Sequence, residues 1–298
     1  MTARTLGLTA LAMVAFAANS LLCRLALHDD SIDAASFGAL RLAAGALMLV
    51  ALLRLRSATA LATPTSERAD WRGATLLFAY VACFSFAYRS LTAGTGALLL
   101  FGAVQLTMFG AGLRAGERFS ASAWAGFALA VAGLLYLVAP GVAAPSPRGA
   151  ALMAAAGVAW GGYSLRGRGA GDPLAATAGN FLRATPMALV LGLVLGLVFA
   201  DSWHASPSGA ALAVASGAIS SGLGYVVWYA ALPGLTALRA ATVQLSVPPL
   251  AAAGGVLLLS EAMSMRLLQA SAAILGGVAV VLLSRSLAAR PRDDTRAP

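Results

Sequence analysis

Ten stretches of about twenty mostly apolar residues follow one another along the chain, near 6–25, 35–53, 73–91, 95–113, 121–139, 149–165, 174–199, 208–230, 237–258 and 266–284. A helix rising about 1.5 Å per residue crosses the roughly 30 Å hydrocarbon layer in about that length. Only short polar or Pro/Gly segments separate the stretches. The longest, RLRSATALATPTSERADWR at 54–72, is too short for a soluble domain. Charged residues make up 10% of the chain and hydrophobic ones 60%, against roughly 25% charged in soluble domains. The sequence therefore predicts an all-α integral membrane protein with ten transmembrane helices and one continuous core.

All 20 basic residues are arginine, and the formal net charge is +9. They occur singly or in small groups between apolar stretches, as topology signals do, so no nucleic-acid partner is expected. With ten spans, one side collects Arg4, Arg54, Arg56, Arg68, Arg72, Arg114, Arg118, Arg166, Arg168, Arg239, Arg285, Arg290, Arg292 and Arg296. The other holds Arg24, Arg89, Arg148 and Arg266. This bias predicts a multi-pass protein of the inner (plasma) membrane with both termini cytoplasmic. A signal peptide is the competing reading of the first stretch, since Arg4 precedes an apolar run and AFA at 15–17 resembles a cleavage site. Cys23 and Cys83 both fall inside apolar stretches, so no disulfide, metal site or cofactor is expected.

The two halves echo each other. Arg24 matches Arg166 and Arg41 matches Arg183, each 142 positions apart, and Tyr88 matches Tyr229 at 141. ERFS at 117–120 matches EAMS at 261–264, both Glu-x-x-Ser. The first stretch thus has a counterpart within the chain and is kept as a span. An odd number of helices per unit forces the second unit to enter the membrane from the opposite face, giving two inverted-topology five-helix repeats. These are 1–142 and 143–298, the second ending in a short basic cytoplasmic tail.

With an arginine early in the second and seventh helices and a glutamate closing the fourth and ninth, the chain resembles the drug/metabolite transporter superfamily, EamA type, over essentially its whole length. Within it the general similarity is to the aromatic amino-acid exporter (YddG-like) branch. The resemblance implies export of small metabolites by alternating access through a central cavity, with the fifth and tenth helices peripheral. The fourth helix lacks the proline pair that the ninth carries as VPP at 247–249.

Several residues are candidates for the path. Arg41 and Arg183 are charges inside spans, each either snorkelling to water or meeting a substrate carboxylate near one mouth. Tyr80, Phe84 and Tyr88 form a single stripe on the third helix. The eighth carries Tyr225, Trp228 and Tyr229 beyond a run of small residues, Ser216, Gly217, Ser220, Ser221 and Gly224, that allows close helix approach. Tyr88 and Tyr229 suit the membrane boundary. Tyr80, Phe84, Tyr225, Trp160 and Tyr163 suit either cavity lining or packing. The in-span amides Asn19, Gln105, Asn180 and Gln244 pair by default with neighbouring helices, and Asn19, Gln105 and Gln244 join the candidate substrate contacts.

Pro248 and Pro249 strand the carbonyls of Gln244 and Leu245, and Pro186 strands that of Leu182. These prolines mark the seventh and ninth helices as bending elements. Glu117 and Glu261 precede candidate capping serines, Ser120 and Ser264, and read as carboxylates favoured by the dipole of the helix that follows. His28 and His204 fall in loops, and no catalytic cluster is visible, so an enzyme is not expected.

The expected partners are the lipid bilayer and a small-molecule substrate, most consistent with an aromatic or other neutral amino acid. A drug, amine or nucleotide-sugar carrier of the same superfamily is the alternative. A channel or a non-transport scaffold is the alternative class. A monomer is compatible with this architecture.

Overall fold

The computed structural model describes residues 2–59, 70–141, 143–167, 171–198, 204–235 and 237–288. Arg68, Arg168 and the basic tail with Arg290, Arg292 and Arg296 lie outside the described residues. Twelve α-helices are described: α1 (Ala3–His28), α2 (Ala34–Thr59), α3 (Trp71–Tyr88), α4 (Ala93–Arg114), α5 (Ala121–Val138), α6 (Pro147–Arg166), α7 (Pro173–Val198), α8 (Pro207–Ala215), α9 (Gly224–Ala231), α10 (Ala237–Gln244), α11 (Val247–Leu259) and α12 (Met265–Ala288). Among the described residues the only extended pairing is an antiparallel bridge between Ile32 and Ala205.

Eight of the described stretches are long and apolar enough to cross a membrane. Large aliphatic side chains face outward, Leu257 and Leu258 with 81% and 73% of their surface exposed. Such exposure is costly in water and costs nothing in lipid, so this is an integral membrane protein. Inside a bilayer every backbone group needs an internal partner, and helices supply it along their own length. Their ends are closed by side chains: Thr92 accepts from the Thr95 N–H, Ser120 from that of Ala123, and Ser206 from that of Gly209. Proline opens α6 and α8, where its missing N–H costs no bond.

Two expected spans are not uniform helices. Between α8 and α9 the residues Ser216–Leu223 form a π-helix, so the stretch Pro207–Gly234, long and apolar enough to cross, has a widened middle. The expected helix over 237–258 is broken into α10 and α11. Pro248 and Pro249 occupy the first turn of α11 rather than a helix interior. There their lack of an N–H is harmless, and the chain turns instead at Leu245 and Ser246, whose N–H groups reach back three residues to Thr242 and Val243 at 3.1 Å each. Pro186 stays inside α7.

The helices pack in a regular neighbourhood. α2 lies against α7, α4 against α11, and α5 against α12. α3 packs on α6 and α7, and α4 also packs on α6. α1 packs on α8, the π-helix, α9 and α11, while α2 packs on the π-helix. The α5–α12 contact is backbone to backbone, because a Cβ added at Gly277 would overlap the Gly126 carbonyl. One end of the bundle gathers the C-termini of α1 and α3, the N-termini of α2 and α4, and Glu261. The other gathers Asp70, Arg166 and the start of α7.

Candidate functional site

Arg41 stands about 10 Å into α2 from Ala34 and is 1% exposed. Snorkelling is therefore not what it does. Its Nη2 donates to the Tyr80 hydroxyl at 3.1 Å and its Nε to Ser221 Oγ at 3.4 Å. The guanidinium carbon lies 4.8 Å from the centroid of the Phe84 ring and 5.3 Å from that of Tyr80, a cation–π arrangement. Nη1 is buried with no hydrogen-bond partner. Among the described residues no carboxylate pairs with Arg41. A buried cation that keeps a whole NH2 group open and no counter-charge is a costly arrangement, and an incoming anion would relieve it.

Local sequence explains the position. Gly217, in the π-helix, faces the backbone of α2 so closely that a Cβ there would overlap the Arg41 carbonyl oxygen. The widened turn presents Ser216 and Ser221, which donate to Asn19 Oδ1 at 2.9 and 3.4 Å. Ser221 thus links the guanidinium to Asn19 on α1. A π-bulge commonly marks a functional position, since it turns side chains that a regular helix would direct elsewhere.

Aromatic rings continue from this point. Tyr80 lies 4.9 Å from Trp160, which stacks at 5.4 Å on Tyr163 and at 5.6 Å, nearly parallel, on Tyr225. Phe16 and Phe181 meet Tyr225 edge-on. Asn19, Arg41, Tyr80, Phe84, Trp160, Tyr163 and Tyr225 are therefore brought into one connected cluster.

The remaining candidates lie outside it. Arg183 Nη1 donates to the Gly179 carbonyl of its own helix at 3.1 Å, and its guanidinium carbon sits 5.7 Å from the Trp71 ring. Gln244 Nε2 donates to the Ala240 carbonyl, also on its own helix, at 3.2 Å. Gln105 is half-buried on α4. Tyr88, expected at the membrane boundary, is fully buried instead, its hydroxyl donating to the Ala93 carbonyl at 3.3 Å. Tyr229 is half-buried, 3.2 Å from Thr177 Oγ1.

Arg24 and Glu261 form a pair that the sequence did not reveal. Arg24 Nε donates to Glu261 Oε1 at 3.0 Å and Nη1 to the Tyr88 carbonyl at 3.1 Å. Glu261 Oε2 accepts the Ala93 N–H at 2.8 Å. Glu261 therefore serves the N-terminus of α4 and the cation on α1, not the dipole of α12 as expected, whereas Ser264 does cap α12 through the Leu267 N–H. Arg24, counted with the charges of the side opposite the termini, lies inside α1 and is buried. At the opposite end Arg166 pairs with Asp70, Nε to Oδ2 at 2.7 Å, and Arg56 pairs with Asp172. Among the described residues no cluster of His, Cys, Asp and Glu could hold a metal ion.

The model of the EamA-like transporter family matches residues 147–283. A relative from Pseudomonas aeruginosa, named "Uncharacterized protein PA1977", is 57% identical over 95% of this chain and 96% of its own. A solved structure described only as "Crystal structure of protein" superposes with a TM-score of 0.63 at 22% identity, over 96% of this chain and 99% of that one. The latter similarity speaks to the fold.

Proposed function

Because the chain belongs to the EamA-like transporter family and is a multi-pass membrane transporter, we propose that it exports aromatic or other neutral amino acids by alternating access. The observation that carries the substrate class is the unpaired Nη1 of Arg41. A carboxylate there gains a charge-assisted hydrogen bond in a low-dielectric site, where such bonds are strongest. The rings of Trp160 and Tyr225 offer an apolar wall to the side chain and a π face to the ammonium. An organic cation lacking a carboxylate would meet Arg41 as a like charge, which disfavours simple amines.

The transport cycle we propose runs between two inverted five-helix repeats, 1–142 and 143–298, in a ten-span protein of the inner membrane with cytoplasmic termini. The neighbour relations support this reading, since the most extensive of them are preserved when the halves are exchanged. α3 on α6 corresponds to the eighth span on α1, α4 on α6 to α11 on α1, and α3 on α7 to the π-helix on α2. The pairs α2–α7, α4–α11 and α5–α12 map onto themselves. On this reading the Arg24–Glu261 pair seals the outer end. The counterpart arginine, Arg166, is instead engaged with Asp70. Burial of α4 agrees, being nearly complete over Ala93–Val104 and reduced to Phe109 and Gly112 beyond. The test is counterflow into proteoliposomes: saturable exchange of labelled L-phenylalanine, with amines and nucleotide sugars failing to compete, is expected. Non-saturating conductance would make the protein a channel, and competition by amines alone a drug carrier.

A further inference from the structure

A second buried polar atom is left without a partner, and it lies at the other end of the aromatic cluster. Asn180 on α7 is 9% exposed and its Oδ1 has no hydrogen bond. Its neighbours have spent their donors elsewhere. Thr177 gives its hydroxyl proton to the Pro173 carbonyl at 2.7 Å, so in the 3.2 Å contact with Tyr229 it is Tyr229 that donates. The Tyr163 hydroxyl lies beside the side chains of Asn180 and Thr177. The Oδ1 of Asn180 takes no hydrogen bond from it. What remains is a buried acceptor that no donor among the described residues meets, and such a group carries a desolvation cost until one arrives.

Position along the bundle gives the separation. The Asn180 amide packs against Gly73, 3.2 Å from where a Cβ would stand, whereas Arg41 meets Tyr80 two turns further along the same helix, about 10 Å away. Trp160 bridges the interval, touching Tyr80 at one end and Tyr163 at the other. An anion-seeking N–H and a donor-seeking oxygen thus sit at the two ends of one aromatic wall, their α3 contacts about two helical turns apart.

We propose that Asn180, supported by Tyr163, Thr177 and Tyr229, is a distal subsite that takes a hydrogen-bond donor at the far end of the substrate, such as a phenol O–H or an indole N–H. This rests on the reading of Arg41 as the carboxylate site and adds to it a preference among aromatic amino acids. A site built to bond a hydroxyl rejects the analogue lacking it more strongly than an apolar pocket rejects an added hydroxyl.

The test is displacement of labelled L-phenylalanine from the purified protein by unlabelled L-tyrosine and L-phenylalanine. Wild type should favour tyrosine by about tenfold or more, as expected for one buried hydrogen bond. Asn180→Leu, which removes the amide while keeping its branched heavy-atom shape, should abolish the preference and leave phenylalanine affinity within about threefold. Should that variant fail to reach the membrane, Asn180→Ala carries the same expectation. Absence of a tyrosine preference in wild type, its survival in the variant, or equal weakening of both ligands would overturn the subsite and leave the carboxylate site standing. Failure of wild type to bind either amino acid would overturn the substrate reading itself, and the subsite with it.

Discussion

Glu261 and Arg24 are 237 positions apart in sequence and 3.0 Å apart in the fold. The contact joins the loop before α12 to α1, and through the Ala93 N–H and the Tyr88 carbonyl it also fixes α4 and α3. Removing one partner of a buried pair leaves an uncompensated charge, at a cost of about 3–5 kcal/mol. Arg24→Met should therefore lower the melting temperature sharply. The double variant Arg24→Met/Glu261→Gln should be more stable than Arg24→Met alone. Strictly additive losses in melting experiments would show that the two side chains are not coupled.

The proposed orientation is checked by labelling. In a cysteine-free background, a cysteine at Ser208, exposed at the Glu261 end, should react with an impermeant thiol reagent added to intact cells. One at Ser122, exposed at the opposite end, should react only after permeabilisation. Reversal of the two would invert the topology, and reaction at both sites in intact cells would remove the ten-span arrangement.

Close approach at the π-helix makes Gly217 intolerant of substitution. Gly217→Val would force α2 and the π-helix apart at the Arg41 carbonyl, and loss of both stability and transport is expected. Gly276 on α12 has open space where its side chain would be, so Gly276→Ala should be neutral or stabilising by up to about 1 kcal/mol. Equal melting temperatures for the two variants would argue against the close contact.

Acid should weaken the end opposite Glu261. The Arg72 N–H and the Arg166 guanidinium hold the Asp70 carboxyl below its ordinary value, and the Arg56 guanidinium does so for Asp172. A carboxyl whose value is depressed on folding contributes stability that is complete above its unfolded value, about 4. That contribution disappears as pH falls through the folded value. Asp172→Asn should thus flatten the pH dependence of melting below about pH 4 while leaving the profile near neutrality parallel to wild type. An unchanged acid limb would show that the pair contributes nothing.

Eight stretches able to cross a membrane were legible because apolar length is a property of consecutive residues, and Arg41 because a charge in such a stretch stands out. Arg24 and Glu261 were not, since each lies near a helix end where a bland local explanation suffices and their meeting depends on tertiary structure. The π-helix was hidden for a related reason: Ser216, Gly217, Ser220 and Ser221 suit ordinary close helix packing equally well. Tyr88 was misread because aromatic position along a helix reports depth but not which side is covered. Asn180 drew no special notice, since an in-span amide is ordinarily satisfied by a neighbour. Only the spent donors around it show otherwise.

The central claim is that Arg41 holds the substrate carboxylate, and counterflow of labelled L-phenylalanine in proteoliposomes measures it most directly when Arg41 and Arg183 variants are compared at equal reconstitution. Arg41→Ala should abolish exchange and Arg41→Lys restore it only in part, because lysine lacks the planar fork that pairs with a carboxylate. Arg183→Leu should retain exchange, since its guanidinium is spent on its own helix and on Trp71. Full exchange by a folded Arg41→Ala protein would contradict the account.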